Sequence, residues 1–187
     1  MLELKELTKK TLEIFDCQSV EDLGDSLMMA LEDESKLQAF CDLVDNDLTK
    51  DWLEMIFQYY QADRKDKKQD YTPKCLAQFL SRLIGESSES IDMCAGSGAL
   101  TIQRWIDNPS TVFCCYEIDE KVIPYLLFNL VIRNITATVN QCDILQDEIY
   151  NVWKITKGEK YGKIARIKSA VTDHVTAHAL MTWLFGH

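Results

Sequence analysis

The sequence predicts an α/β fold: a sheet whose strands alternate with helices, preceded by a small helical region. Three observations carry this prediction. Beyond Tyr71, short apolar runs alternate with amphipathic stretches, as strands do with the helices that cover them. Three of the apolar runs lead into acid, at Asp92, Glu117 and Asp143. Between Asp92 and the helical stretch at Ala99 lies Met93-Cys94-Ala95-Gly96-Ser97-Gly98, a small-residue turn that lets a backbone come close to a nucleotide-like ligand.

Residues 1–62 read as helices. Leu4, Leu7, Thr11, Leu12 and Phe15 form one stripe, and Ser19-Val20-Glu21-Asp22 resembles a capping box ahead of Leu23 and Leu27. Leu37, Phe40, Cys41 and Val44 mark a further helix, and Trp52, Leu53, Ile56, Phe57 and Tyr60 another. Residues 63–70 are a charged linker, and 71–187 form the α/β domain, with an atypical tail from 165. In Tyr71-Thr72-Pro73, Thr72 is placed to cap a helix with Pro73 at its first position. Leu76, Phe79, Leu80, Leu83 and Ile84 recur on one face of that helix. Then come a strand at 90–94, a helix at 98–106, a strand at 111–117 and a helix at 120–133 in which Pro124 lies early enough to be tolerated. A strand at 136–141, a weaker helix near 146–155 and a strand at 163–171 complete the pattern. Buried apolar strands alternating with helices point to a parallel sheet.

Composition narrows the function classes. With 47% hydrophobic residues in 187, the chain can bury a sizeable core. The net charge of -10 argues against independent tight binding to DNA, because phosphate contacts need clustered Lys and Arg. The one basic cluster, Arg64-Lys65-Asp66-Lys67-Lys68, is broken by acid and reads as solvated linker. No apolar run is long enough to span a bilayer, and the charged start Met1-Leu2-Glu3-Leu4-Lys5 is unlike a secretion signal. Seven cysteines without a Cys-x-x-Cys pair suit reduced, buried thiols, so the expectation is a cytoplasmic protein that holds no metal. His174 and His178 lack a third nearby ligand.

The acid-tipped strands have a chemical reading. A carboxylate at the tip of the second strand, Glu117, can accept two hydrogen bonds from a ribose diol, while Asp119 reads as a helix cap. Asp143, after the third strand, can accept one from an adenine amino group. The shape Asp-x-x-x-Gly-x-Gly over Asp92 to Gly98 resembles the first motif of S-adenosylmethionine-dependent methyltransferases. Together with Tyr71-Thr72-Pro73 upstream, the set is similar to adenine-specific DNA methyltransferases, in particular the modification subunits of type I restriction systems. The similarity runs from Asp70 to about Ile164. It implies a partial Rossmann-like methyltransferase sheet with S-adenosylmethionine as cofactor. The implied cofactor site comprises Tyr71, Thr72 and Pro73, then Asp92, Cys94, Ala95, Gly96, Ser97 and Gly98, then Glu117, Ile118, Asp143 and Ile144. In that family the Tyr-Thr-Pro segment lies against the methionine end of the cofactor.

The family's fourth motif, Asn or Asp followed by two prolines and an aromatic, has no counterpart here. It orients the adenine amino group and stacks on the flipped base. The three prolines are Pro73, Pro109 and Pro124, and Asp173 is the sole, weak candidate for the acceptor role. A complete sheet of the family has about seven strands, and this chain has room for four or five. The expected function is therefore a cofactor-binding methyltransferase-like domain whose own catalysis is doubtful. The alternatives are a non-catalytic regulator or interaction partner, or a methyltransferase with a non-DNA acceptor. A restriction–modification subunit or split-enzyme partner would bring the DNA contacts, and the apolar tail Val175 to Phe185 would cover an open sheet edge or join a homodimer.

Overall fold

The computed structural model describes residues 3–60 and 72–168; Tyr71, the linker and the tail with Asp173 lie outside them. Four helices come first, α1 (Leu4–Ile14), α2 (Leu23–Ala30), α3 (Glu34–Leu43) and α4 (Trp52–Tyr60). Their buried positions match the apolar stripes, with Leu7, Leu23, Leu27, Leu37, Leu53 and Ile56 at most 1% exposed. Local capping differs from the reading at Ser19. Its hydroxyl donates to Asp22 Oδ2 at 2.7 Å, and α2 starts with Asp22 at its cap position, so no capping box forms. Asp33 is the working cap of α3, accepting the Ser35 and Lys36 N–H groups at 3.0 and 3.3 Å.

The α/β part comprises α5 (Lys74–Ile84), β1 (Glu89–Asp92), α6 (Ala99–Asp107), β2 (Val112–Glu117), α7 (Ile123–Ile132), β3 (Ala137–Asp143), β4 (Glu148–Thr156) and β5 (Lys163–Lys168). The cap of α5 is Pro73 rather than Thr72, one residue later than expected. The sheet has the order β1-β2-β3-β4-β5. β1, β2 and β3 are parallel, with Asp92 beside Cys115 and Glu117 beside Gln141. β4 and β5 are antiparallel, so the sheet is mixed, not parallel throughout.

The expected helix near 146–155 is the strand β4. Asp143 decides this locally: its Oδ1 accepts the N–H groups of Leu145 and Gln146 at 3.0 and 3.1 Å, turning the chain back on itself. The returning stretch is rich in β-branched and aromatic residues, which pack on a pleated surface. Ile149 and Val152 pack with Cys114, Tyr116 and Cys142 in one cluster, and Trp153 and Ile155 join the main core, so both faces of β4 are covered.

All ten residues of α7 are buried. A helix apolar on every side needs cover all round, and α7 has it, lying between the helical region and the sheet. Phe128, 0% exposed, meets Phe15 and Phe40 edge-on at 5.2 Å each, so helices and sheet share one core. Pro124 sits at the start of α7, where its missing N–H costs no helical bond. Among the described residues no helix is long and apolar enough to cross a membrane. Because the shared core runs through Phe128, Phe128→Ala should cost about 3–5 kcal/mol in urea-induced unfolding. The loss should fall on one transition monitored at both the helical and the sheet signals.

Candidate functional site

β1 and β2 end side by side, and the turn after β1 is built on the tip of β2. The Ala95 N–H donates to the Tyr116 carbonyl at 2.9 Å, and the Gly96 N–H donates to Glu117 Oε2 at 2.8 Å. The other Glu117 oxygen accepts from Ile118 and Asp119 N–H at 2.9 and 2.8 Å. Gly96 and Gly98 have φ of 54° and 101°, left-handed conformations that L side chains rarely adopt. A Cβ on Gly98 would also lie 3.0 Å from Leu126 on α7, which holds the turn against the core. Gly98 caps α6, its carbonyl accepting from Ile102 at 2.7 Å.

Asp92, Gly96 and Glu117 are thus brought together. Asp92 Oδ2 accepts from the Thr101 hydroxyl at 3.0 Å. Burial, with the Glu117 charge adding to it, pushes the Asp92 carboxyl above its ordinary range. Cys94 is exposed and Ser97 buried, and Ile118 stands 54% exposed at the tip of β2. Asp119 caps no helix end: α7 starts at Ile123, and Asp119 Oδ1 takes the Lys121 N–H in the turn before it. Asp143 and the half-buried Ile144 lie at the end of β3, with the Asp143 carboxylate tied into its own turn and bonded to Gln146 Nε2 at 2.8 Å. All seven cysteines are free; Cys41, Cys114, Cys115 and Cys142 are buried, whereas Cys75 and Cys94 are exposed, contrary to the uniformly buried set expected.

Thr72 and Pro73 reach the site on the flank of α6. A cavity of about 420 Å³ opens there, lined by Asp51, Glu54, Thr72, Pro73, Ala99 and Gln103 among others. Its acids come from the helical region, which the sequence reading left out of the site. Asp51 Oδ1 accepts the Glu54 N–H at 2.9 Å, capping α4, and the Asn129 amide at 2.9 Å. The same amide donates to the Ser97 carbonyl at 3.0 Å, so one side chain joins α4 to the glycine turn. Arg133 donates to the carbonyls of Leu48 and Lys50 at 2.9 and 2.7 Å and to Asn129 Oδ1 at 2.9 Å. Burial lowers its guanidinium to about 10, with Asp51 opposing that shift. Two polar residues four apart in an otherwise apolar helix, Asn129 and Arg133, were the available sequence signal.

These features fit an adenosyl cofactor with a charged amino-acid end. Small residues keep the turn open beside an acid at the next strand tip, and Asp51 Oδ2 and Ser97 Oγ are buried neighbours without well-formed hydrogen bonds. Burial also pushes Asp51 upward, and Glu54 is raised from 4.5 to about 7 by burial and the Asp51 charge. The folded chain then holds the Glu54 proton at pH values where the unfolded chain has lost it. Stability must fall as pH rises from 4.5 toward about 7, and level off above. Glu54→Gln should remove that fall: its unfolding midpoint should exceed that of the unmutated chain at about pH 8 and converge with it at about pH 4.

The comparisons with known proteins identify the family. The family model for N-6 DNA methylase matches residues 44–165, from the end of α3 through the glycine turn into β5. No curated protein and no solved structure matches the chain. The matched span covers well over half of the 187 residues and contains both the glycine turn and the acids of the cavity, so the chain belongs to the N-6 DNA methylase family.

Proposed function

We propose that the chain binds S-adenosylmethionine across the tips of β1 and β2 and serves as the cofactor half of a DNA adenine methyltransferase of a restriction–modification system. The observation that carries this reading is the Gly96 N–H bonded to Glu117 Oε2 at 2.8 Å, which holds a side-chain-free turn against an acid at the neighbouring strand tip. Bound there, the cofactor supplies an activated methyl group on a sulfonium. The chain's own residues bind and orient it. Glu117 takes the ribose hydroxyls, Asp143 the adenine amino group, and Thr72 with Pro73 borders the amino-acid end. The adenine base and the DNA backbone are met by a partner subunit, because this chain carries a net charge of -10 and no Asn-Pro-Pro segment. That missing segment also favours the second reading, a cofactor-binding regulator that performs no transfer.

Titration calorimetry with S-adenosylmethionine tests the binding. Glu117→Ala should weaken it by about 1.5–3 kcal/mol per ribose hydrogen bond lost, and Gly98→Asp should abolish it. No heat of binding by the unmutated chain at about millimolar ligand, a weak limit for any specific site, would overturn the proposal. A second measurement separates the division of labour. With radiolabelled cofactor and unmodified duplex DNA, the chain alone should incorporate no more label than a boiled control. Incorporation well above that control, lost in Asp173→Ala, would mean that the chain has an acceptor site of its own.

A further inference from the structure

Two carboxylates face the cavity beside α6, and among the described residues the buried Arg133 acts on the Asp51 charge without bonding to either acid. Asp51 Oδ2 is buried beside the Ser97 hydroxyl without a well-formed hydrogen bond, and the Glu54 carboxylate bonds to no described residue. Lys50, the cation among the lining residues, is already engaged. Its Nζ is 2.7 Å from Asp47 Oδ2 and 4.9 Å from the centre of the Trp52 ring. The Arg133 hydrogen bonds go to the carbonyls of Leu48, Lys50 and Asn129 and to Asn129 Oδ1, none to Asp51. Gln103 is only 7% exposed, lines the same cavity, and its side-chain amide also bonds to no described residue. Two like charges held close together and partly out of water are costly, and one buried guanidinium offsets only one of them.

We infer that Asp51 and Glu54 hold the α-ammonium group of the cofactor's amino-acid end, with the Gln103 amide serving its α-carboxylate. The inference rests on the proposed binding of S-adenosylmethionine and assigns part of that site to the helical region. The chemistry is complementary. An ammonium brings a positive charge and three N–H donors, and the cavity offers two carboxylates with free oxygens. The position agrees, since the cavity opens at the first turn of α6, next to Gly98 and beside Thr72 and Pro73. The arrangement also accounts for Asn129: by bonding both Asp51 and the Ser97 carbonyl, it holds the ammonium-binding acids in register with the turn. The shift of Glu54 to about 7 is what a carboxyl poised for an incoming cation shows before the cation arrives.

S-adenosylhomocysteine and 5′-methylthioadenosine are the probes. Both are uncharged at sulfur and share the adenosine, and they differ in the amino-acid end. Glu54→Gln should weaken S-adenosylhomocysteine by about ten-fold or more in calorimetry while leaving 5′-methylthioadenosine within about two-fold. Glu54→Asp keeps the charge and should lose less. A thermal unfolding midpoint at or above that of the unmutated chain shows that Glu54→Gln is folded. Equal losses for both ligands, or no loss for either, overturn the assignment. If the unmutated chain binds both ligands equally well, the assignment fails and the cofactor reading stands. If it binds neither, the cofactor reading fails and takes the assignment with it.

Discussion

Asn129 lies inside α7, a helix buried on every side, and its amide donates at 2.9 Å to Asp51 and at 3.0 Å to the Ser97 carbonyl. A polar side chain in such a place is tolerated only if its hydrogen bonds are made. Arg133, one turn further on, extends the constraint by binding the carbonyls of Leu48 and Lys50 and the Asn129 oxygen. The loop before α4 and the turn before α6 are therefore held by the same pair of side chains. Apolar packing alone, being non-directional, would press these segments together without fixing how they face one another. The buried hydrogen bonds supply the direction, and the cavity between α4 and α6 exists in its observed form because of them.

The two ends of the site are prepared differently. At the strand tips, Glu117 takes three backbone N–H groups, one of them from Gly96, so the acid shapes the turn that a ligand would approach. Binding a ribose there exchanges or shares hydrogen bonds that already exist, which limits the reorganisation the turn must undergo. At the α4 side Asp51 and Glu54 line a cavity whose one lining cation among the described residues, Lys50, is paired with Asp47. That half carries unfavourable electrostatics until a ligand arrives. One end is satisfied and rigid, and the other is unsatisfied and specific for charge.

The sheet shows where this chain departs from simple alternation. Three parallel strands carry the site, and an antiparallel hairpin, β4 and β5, extends the sheet beyond β3. β1 stands at the opposite edge, and α5, which packs on α6, leaves Leu76, Phe79, Leu83 and Ile84 exposed. The hairpin is anchored to α7, where the Gly162 N–H donates to the Val131 carbonyl at 2.8 Å. It buries Trp153, Ile155 and Tyr161 in the common core. The extension thus stabilises the helix that organises the site, and it pairs with the tip of β3, where Asp143 lies opposite Glu148.

Local chemistry was legible from the residues in order. The stripes of the first four helices, the glycine turn and the acid at each of three strand tips follow from period, side-chain size and spacing, and the family from the motifs that resemble it. These are properties of neighbouring residues and survive without knowledge of the fold. The boundary errors at Thr72 and Ser19 are of one residue or one hydrogen bond, because capping is settled by geometry that several polar side chains can satisfy. The hairpin in place of a helix over Glu148–Thr156 needed more. Its apolar residues serve either period, and pairing with β3 chose the strand. The acids of the cavity were the least visible of all. Asp51 and Glu54 lie at the start of an amphipathic helix, and the Asp51 partner, Asn129, is 78 residues away. Only tertiary packing brought α4 against the glycine turn. By placing those carboxylates beside Thr72 and Pro73, it turned an ordinary helix start into part of the candidate site.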